Sequence, residues 1–284
     1  ARPCQGRGRG FESLRPLQYS IVVGRDRVIF PGDRNAEQLK SEVAREGRDA
    51  FQHKIGPLGL AVFCAFRELA ALPRRLLTIG RRRAAISVDF QIPWLPRWPN
   101  LAARPVHDPG DHDWVKLLRD AAPVIREELR AVLGSFELSR YGWNHPKPWT
   151  LYYLFFEGRP VREHLAACPR TAEVLSRLPH NAFHVGFSAI EPGGSLLPHT
   201  GPTNASLTAH LGLDGCDGAR LHVADQVVEY RNDDVLVFDD SYVHWVQHHG
   251  SQRRYTLMVT FWHPELAWNE RLFLSCVVRL APGT

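Results

Sequence analysis

"LLPHTGPTNASLTAHLGL" spans residues 196–213 and places His199 and His210 on either side of a Thr-Gly-Pro-Thr-Asn turn. "VLVFDDSYVHWVQHHGSQRRYTLMVTFWHPEL" follows at 235–266 and adds His244, His248 and Arg254. Both stretches consist of short apolar runs broken by turn residues, which is how half-buried strands read. From residue 182 onward eight such segments follow one another: "AFHVGFSAI", "SLLPH", "ASLTAHLGL", "ARLHVA", "QVVEYR", "DVLVF", "VHWVQ" and "RYTLMVTFW". Eight close-spaced strands without internal repeats predict a closed or double-sheet antiparallel core, a jelly roll or double-stranded β-helix.

The first half of the chain reads differently. Residues 1–15 are rich in Gly and Arg and are expected to be disordered, and "QYSIVVGRDRVIF" (18–30) carries a hairpin signal. Residues 35–54 and 60–79 read as helices, and the Pro/Trp-rich 89–111 reads as a boundary or a wrapping arm. Over 111–133, Val115, Leu118, Ala122, Ile125, Leu129 and Val132 recur at helical spacing behind a candidate N-cap, Asp111. A second helix is expected over 160–177.

Composition narrows the class. The chain has 284 residues, 44% of them from the AVILMFWYC set, enough for one substantial core with appendages. Its five cysteines are dispersed with no C-x-x-C pair, which argues against a disulfide framework and a zinc knuckle and favours reduced thiols in a reducing compartment such as cytoplasm. The longest apolar run, "IGPLGLAVFCAF" (55–66), falls short of the roughly 18–20 residues a bilayer span needs. An anchor ahead of residue 1 stays open, because the chain does not begin with Met. Residues 1–97 carry 18 Lys and Arg against 9 Asp and Glu, and the remainder 17 against 21. This basic third suits an acidic or membrane-surface contact. "GRRRAA" (80–85) lacks interleaved aromatics, so no specific nucleic-acid partner is expected.

The chemistry lies in the strand-rich half. His199 ends one strand and His244 begins another, so the two can share a metal. Non-haem iron sites usually add an acid two residues after the first histidine, but here that position is Gly201. Either there is no iron site, or two histidines hold the metal with water in the third position. His248 shares a strand face with His244 and is a rival ligand. His184, His222 and His263 read as structural. If "VHWVQ" and "RRYTL" form a hairpin around His249–Ser251, Arg254 returns close to His244. A guanidinium there suits a carboxylate co-ligand, with Ser188 and His210 adding hydrogen bonds from neighbouring strands. A dicarboxylate between metal and arginine is what a 2-oxo acid requires.

In type, order and spacing, "PHTGPTN" (198–204), "HLGL" (210–213), "VLVFDDSYVHWV" (235–246), Arg254 and "FWHPEL" (261–266) resemble the aspartyl/asparaginyl β-hydroxylase family of Fe(II)- and 2-oxoglutarate-dependent dioxygenases. "ARPVHDPGDHDW", "AAPVIREEL", "PWTLYYLFFEGR" and "CPRTAEVLSRLPH" extend a weaker likeness, so that it covers about 100–270 and leaves 1–90 uncovered. The resemblance implies a mainly β dioxygenase domain with flanking helices over 91–276, its cupin-like β-helix core at about 182–264. Residues 1–90 are then a basic extension of unknown role. It implies iron on His199 and His244, and 2-oxoglutarate contacts from Ser188, His210 and Arg254. The implied reaction consumes O2 and the oxo acid and hydroxylates an unactivated C–H, foremost the β-carbon of Asp or Asn in a peptide or protein. Lipid or small-molecule hydroxylation, a halogenase using a site beside Gly201, and a non-catalytic jelly-roll binding protein are the alternatives. One departure concerns the strand into "HLGL": the family often has an Arg where this chain has Thr208.

Overall fold

The computed structural model describes residues 22–24, 27–29, 41, 43–45, 60–69, 90–139, 144–145 and 147–280. The expectations for 1–15 and "GRRRAA" lie outside the described residues, as do most of the 35–54 helix and the 70–79 half of the next. Residues 60–69 are helical.

Fifteen strands are numbered in chain order: β1 (Val22–Gly24), β2 (Arg27–Ile29), β3 (Val106–His107), β4 (Glu137–Leu138), β5 (Asn144–His145), β6 (Trp149–Phe156), β7 (Arg159–Pro160), β8 (His180–Ile190), β9 (Ser195–His199), β10 (Ser206–Asp214), β11 (Ala219–Val223), β12 (Gln226–Glu229), β13 (Val235–Phe238), β14 (His244–His248) and β15 (Arg254–Trp262). β1 and β2 pair antiparallel, as the hairpin signal predicts. The rest form two antiparallel sheets. The larger runs β3-β13-β10-β15-β8-β6-β4, with β7 on β6, and the smaller runs β12-β11-β14-β9-β5.

From β8 onward the chain crosses between sheets at almost every step: β8, β10, β13 and β15 belong to the larger sheet, and β9, β11, β12 and β14 to the smaller. This is the double-stranded β-helix read from the eight segments, and each segment is a strand. The expected hairpin between "VHWVQ" and "RRYTL" does not form. β14 pairs with β11 and β9, whereas β15 pairs with β10 and β8. The turn at 249–251 carries the chain from one sheet to the other, so Arg254 faces the histidines from the opposite wall.

Period-two alternation sorts the larger sheet. Leu207, Ala209, Leu211, Val185, Phe187, Leu257, Val259 and Phe261 point outward into a core with Val115, Leu118, Ala122, Ile125 and Leu129. Each such Leu, Val or Phe contributes about 1.5–3 kcal/mol on burial. The intervening residues, among them Thr208, His210 and Met258, line the interior between the sheets. One strand therefore serves the core with one face and the site with the other. Gly186 on β8 lets β6 approach closely, since a Cβ there would lie 2.4 Å from the Tyr152 carbonyl oxygen.

Beyond the helical residues 60–69, the helices numbered here are α1 (Trp114–Asp120), α2 (Ala122–Ala131), α3 (Arg162–Ala167), α4 (Pro169–Ser176) and α5 (Trp268–Leu280). The helix expected over 111–133 is two, as is the one over 160–177. Pro123 and Pro169 sit in the first turns of α2 and α4, where a missing N–H costs nothing but a preceding helix cannot run through. Asp111 ends a short 3-10 turn capped by Asp108. The apolar stripe survives the break, all six of its residues being buried. β6 was not foreseen as a strand, because its run "WTLYYLFF" is continuous rather than alternating.

The Pro/Trp-rich stretch wraps the mouth of the sandwich. Ile92 donates to the Ser241 carbonyl at 2.9 Å and Leu95 to that of Pro202 at 2.9 Å. Asn204 bridges to the backbone of Trp98 in both directions, at 2.6 and 3.0 Å.

Candidate active site

β9 and β14 run side by side with His199 directly opposite His244. Their ring centroids are 4.2 Å apart at an interplanar angle of 54°. His199 Nδ1 lies 2.7 Å from the Leu197 carbonyl and His244 Nδ1 2.9 Å from that of Tyr242. A carbonyl only accepts, so Nδ1 carries the proton in each ring and the neutral tautomer has its lone pair on Nε2. Fixing one nitrogen to orient the other is how metal-binding imidazoles are held. Both rings are buried. Burial, and next the neighbouring His244, hold His199 well below its usual range, and burial holds His244 at about 4. Both are thus neutral, the form that coordinates a metal. The pair fits an imidazole-binding ion such as Fe(II).

Across the sandwich, Arg254 is 1% exposed. Its Nη2 donates to Ser188 Oγ at 3.1 Å, and its Cζ sits 4.7 Å from the centre of the Tyr230 ring. Nε and Nη1 have no hydrogen-bond partner, and no described carboxylate pairs with the guanidinium. A buried cation without an anion is costly unless one arrives. Ser188 Oγ also accepts from Trp149 Nε1 at 2.9 Å, and His210 Nδ1 lies 2.9 Å from the Tyr230 hydroxyl. Ser188, His210 and Arg254 therefore meet around Tyr230 and Trp149, on three adjacent strands, β8, β10 and β15. His210 lines the cavity, while Ser188 and Arg254 stand one layer behind it.

Gly201 marks the expected place of the acid. A Cβ there would lie 2.5 Å from the carboxyl carbon of Asp240, so a carboxyl group from another loop occupies the space. Thr208 Oγ1 donates to Asp240 Oδ2 at 3.0 Å, and Asp240 Oδ1 is buried without a partner. Burial pushes the Asp240 carboxyl up to about 7. Asp239 behind it accepts from Gln91 Nε2 at 2.8 Å and from Ser241 N at 2.9 Å, tying the wrapping arm to the loop that leads into His244. Among the described residues, no three His, Cys, Asp or Glu side chains converge as a metal site.

Of the five residues singled out, His199 and His244 come together on one wall and Ser188, His210 and Arg254 on the other. His248 is no rival: its Nε2 is 2.6 Å from the Gln252 carbonyl, and it sits at the far end of β14. His184, expected to be structural, lines the cavity, whereas His222 stacks on Trp245 at 4.6 Å. Asp240, Tyr230, Trp149 and Trp94 were missed. Only "FDD" hinted at Asp240, and a turn explains a paired Asp equally well.

The fold and site define a class of protein: a jelly-roll barrel with two paired imidazoles on one wall and, on the other, a buried arginine that no described carboxylate pairs. Within that class, residues 119–264 match the family described as aspartyl/asparaginyl beta-hydroxylase. The mouse aspartate beta-hydroxylase domain-containing protein 1 is 34% identical over 240 residues, 74% of this chain and 66% of its own length. Its counterpart numbered 2 from Xenopus tropicalis is 32% identical over 208 residues, 68% of this chain and 54% of that protein. The human aspartyl/asparaginyl beta-hydroxylase is 29% identical over 175 residues, covering 59% of this chain but 22% of that protein. The chain thus spans only part of the length of each. It belongs to the aspartyl/asparaginyl β-hydroxylase family.

Proposed function

We propose that the chain is an Fe(II)- and 2-oxoglutarate-dependent hydroxylase acting on an unactivated C–H, foremost the β-carbon of an Asp or Asn residue in a peptide or protein. The observation that carries this is the His199–His244 pair, opposed in register with each Nδ1 tied to a backbone carbonyl. In this reading the two imidazoles hold the metal. Arg254 would supply the cation for the far carboxylate of the oxo acid from behind His210, with Ser188 and His210 orienting that group. When bound, iron and oxo acid together supply the O2-activating, two-electron oxidising chemistry. The protein positions the oxo acid, keeps bulk water out with Trp149, Leu221, Phe238 and Met258, and offers Asp240 as a proton acceptor beside the pair.

A non-catalytic binding role accounts poorly for an oriented imidazole pair and an unneutralised arginine kept together. A halide site beside Gly201 meets the Asp240 carboxyl already there. The test is aerobic incubation with Fe(II), 2-oxoglutarate and candidate peptides. Succinate release that depends on Fe(II) and disappears in His244→Ala is expected. Succinate release unchanged in that variant contradicts the assignment.

A further inference from the structure

A second space adjoins the cavity in front of the histidine pair. That cavity holds about 70 Å³ and counts His184 and Thr260 in its lining, whereas a neighbouring cleft holds about 380 Å³. The cleft is lined by Phe155 of β6, Pro160 of β7, His180 and Asn181 of β8, Trp262 of β15 and Ser275 of α5. Asn181 ties the two together. Its Oδ1 accepts from Thr260 Oγ1 at 2.6 Å, and its Nδ2 donates to Ser206 Oγ at 2.8 Å. Register fixes which end of the sandwich this is. On β15, Thr256 lies opposite Ser188 and Trp262 lies opposite Ser206. The interior thus runs from Arg254 and Ser188 at one end to Thr260, Ser206 and Trp262 at the other. The latter end is the one that the wrapping arm rims, since Trp98 and Trp262 share an apolar cluster.

The lining sets what fits. No Lys, Arg, Asp or Glu lines the cleft among the described residues. His180 Nδ1 accepts from the Ala182 N–H at 3.2 Å, so Nε2 carries the proton, and burial lowers the ring's pKa below its usual value. The ring is therefore a neutral donor near pH 7. A charged side chain here sheds water and gains no counter-ion. Flat faces favour a flat guest: the His180 and Phe155 ring centroids are 4.8 Å apart, and Trp262 stands in the same lining. Trp262 is held in place, its Nε1 donating to Ser275 Oγ at 3.2 Å and that hydroxyl donating to the Arg271 carbonyl at 2.7 Å. The β8–β15 register shifts between Val259 and Phe261, and Ala182 takes a left-handed φ of 60°. Irregularities of this kind re-aim side chains beside binding sites. His184 in the cavity and His180 in the cleft are at most about 13 Å apart along β8, which an extended peptide covers in about four residues.

We propose that this cleft is a substrate subsite for an uncharged aromatic side chain, two to four residues away from the hydroxylated position of a peptide. The inference rests on the reading of the neighbouring cavity as the hydroxylase active site.

The test is binding rather than turnover. The full chain is loaded with Zn(II), which is redox-inert, and N-oxalylglycine, an analogue of the oxo acid that does not decarboxylate. Metal and analogue are then quantified per chain. It is offered peptides with a fixed central Asp or Asn and randomised flanks, and the retained peptides are sequenced by mass spectrometry. One position, two to four residues from the centre, carries Phe, Tyr or Trp at least about tenfold over Ala, the order of burying one such ring. Ser275→Trp fills the cleft and removes that enrichment, with metal and analogue loading unchanged. Pro160→Glu, at the exposed rim, adds a carboxylate and raises Lys and Arg at the same position. No aromatic enrichment by the loaded wild type, a charged residue preferred there instead, or enrichment unmoved in either folded variant overturns the proposal and leaves the hydroxylase reading intact. Retention of no peptide by the loaded chain overturns it as well. Failure to load metal and analogue at all sinks the active-site reading, and this inference with it.

Discussion

Arg254 reaches the interior from β15 with two of its nitrogens unpartnered. Replacing it by Lys keeps the charge and loses the planar fork, so 2-oxoglutarate binding is expected to weaken at least about tenfold, measured by calorimetry, with metal stoichiometry unchanged. Loss of metal together with oxo acid in that variant contradicts the division of labour between the two walls. Gly201 gives a second residue-scale test. Installing Asp there does not complete a two-histidine, one-acid triad, because its Cβ already lies 2.5 Å from the Asp240 carboxyl carbon. Gly201→Asp should lower the melting temperature and bind less metal than wild type, and Gly201→Asp with Asp240→Gly should recover part of both. That His199 and His244 stand close together was legible from their places at strand ends, whereas Ser188, His210 and Arg254 were singled out by motif order and the family resemblance, and the structure places these three on adjacent strands. Asp240 was not, since a turn hides where its carboxyl goes. Tyr230 and Trp149 were not either, because a buried aromatic looks the same in sequence whether it packs or donates.

Elements set the precision of that site. β8 lies against β6 only because residue 186 lacks a side chain; a Cβ would sit 2.4 Å from the Tyr152 carbonyl. Gly186→Ala is expected to destabilise by about 2 kcal/mol or more in urea unfolding, the scale of overpacking, and to weaken oxo-acid binding by moving Ser188. An unchanged unfolding midpoint would refute the close-packed β6–β8 register. On the outer side, Glu128 of α2 accepts from the backbone N–H of Arg170 at 2.9 Å and of Thr171 at 2.7 Å, and from the Thr171 hydroxyl at 2.7 Å. It caps α4 from a neighbouring helix, so Glu128→Ala should cost about 2–3 kcal/mol by the same assay. The eight core strands were readable because turn residues punctuate them. The helix breaks at Pro123 and Pro169 were not, because an apolar stripe continues in phase across a single kink. Pairing partners were the other gap: β14 and β15 are adjacent in sequence with a short turn, yet crossing between sheets beats the local hairpin once both strands must be buried.

At the scale of the whole molecule, the wrapping arm and the strand β3 close the sandwich beside a set of buried histidines. His107 and His263 have ring centroids 5.8 Å apart, and His107 and His112 6.4 Å. Burial first, then the charges His263 and His112 would carry, hold His107 at about 4. Its folded pKa is below the unfolded value near 6.5, so the unfolded chain binds the extra proton between those two values. The neutral ring's stabilisation is complete above about 6.5 and is lost as pH falls toward 4, on the order of 2–3 kcal/mol. Urea unfolding between pH 7.5 and 4.5 should show a smaller loss in His107→Gln than in wild type; equal slopes would contradict this. The jelly roll and its flanking helices were legible from patterning and motif order, whereas the division of the site between two walls and the arm's docking depended on sheet crossings and contacts such as Gln91 to Asp239 that no local pattern encodes. The most direct measurement is anaerobic titration of the full chain with Fe(II) and 2-oxoglutarate, followed by visible absorption. A metal-to-ligand charge-transfer band that saturates at one equivalent, and is absent in His199→Ala and His244→Ala, is the predicted result. No band with wild type, or the same band in both variants, would contradict it.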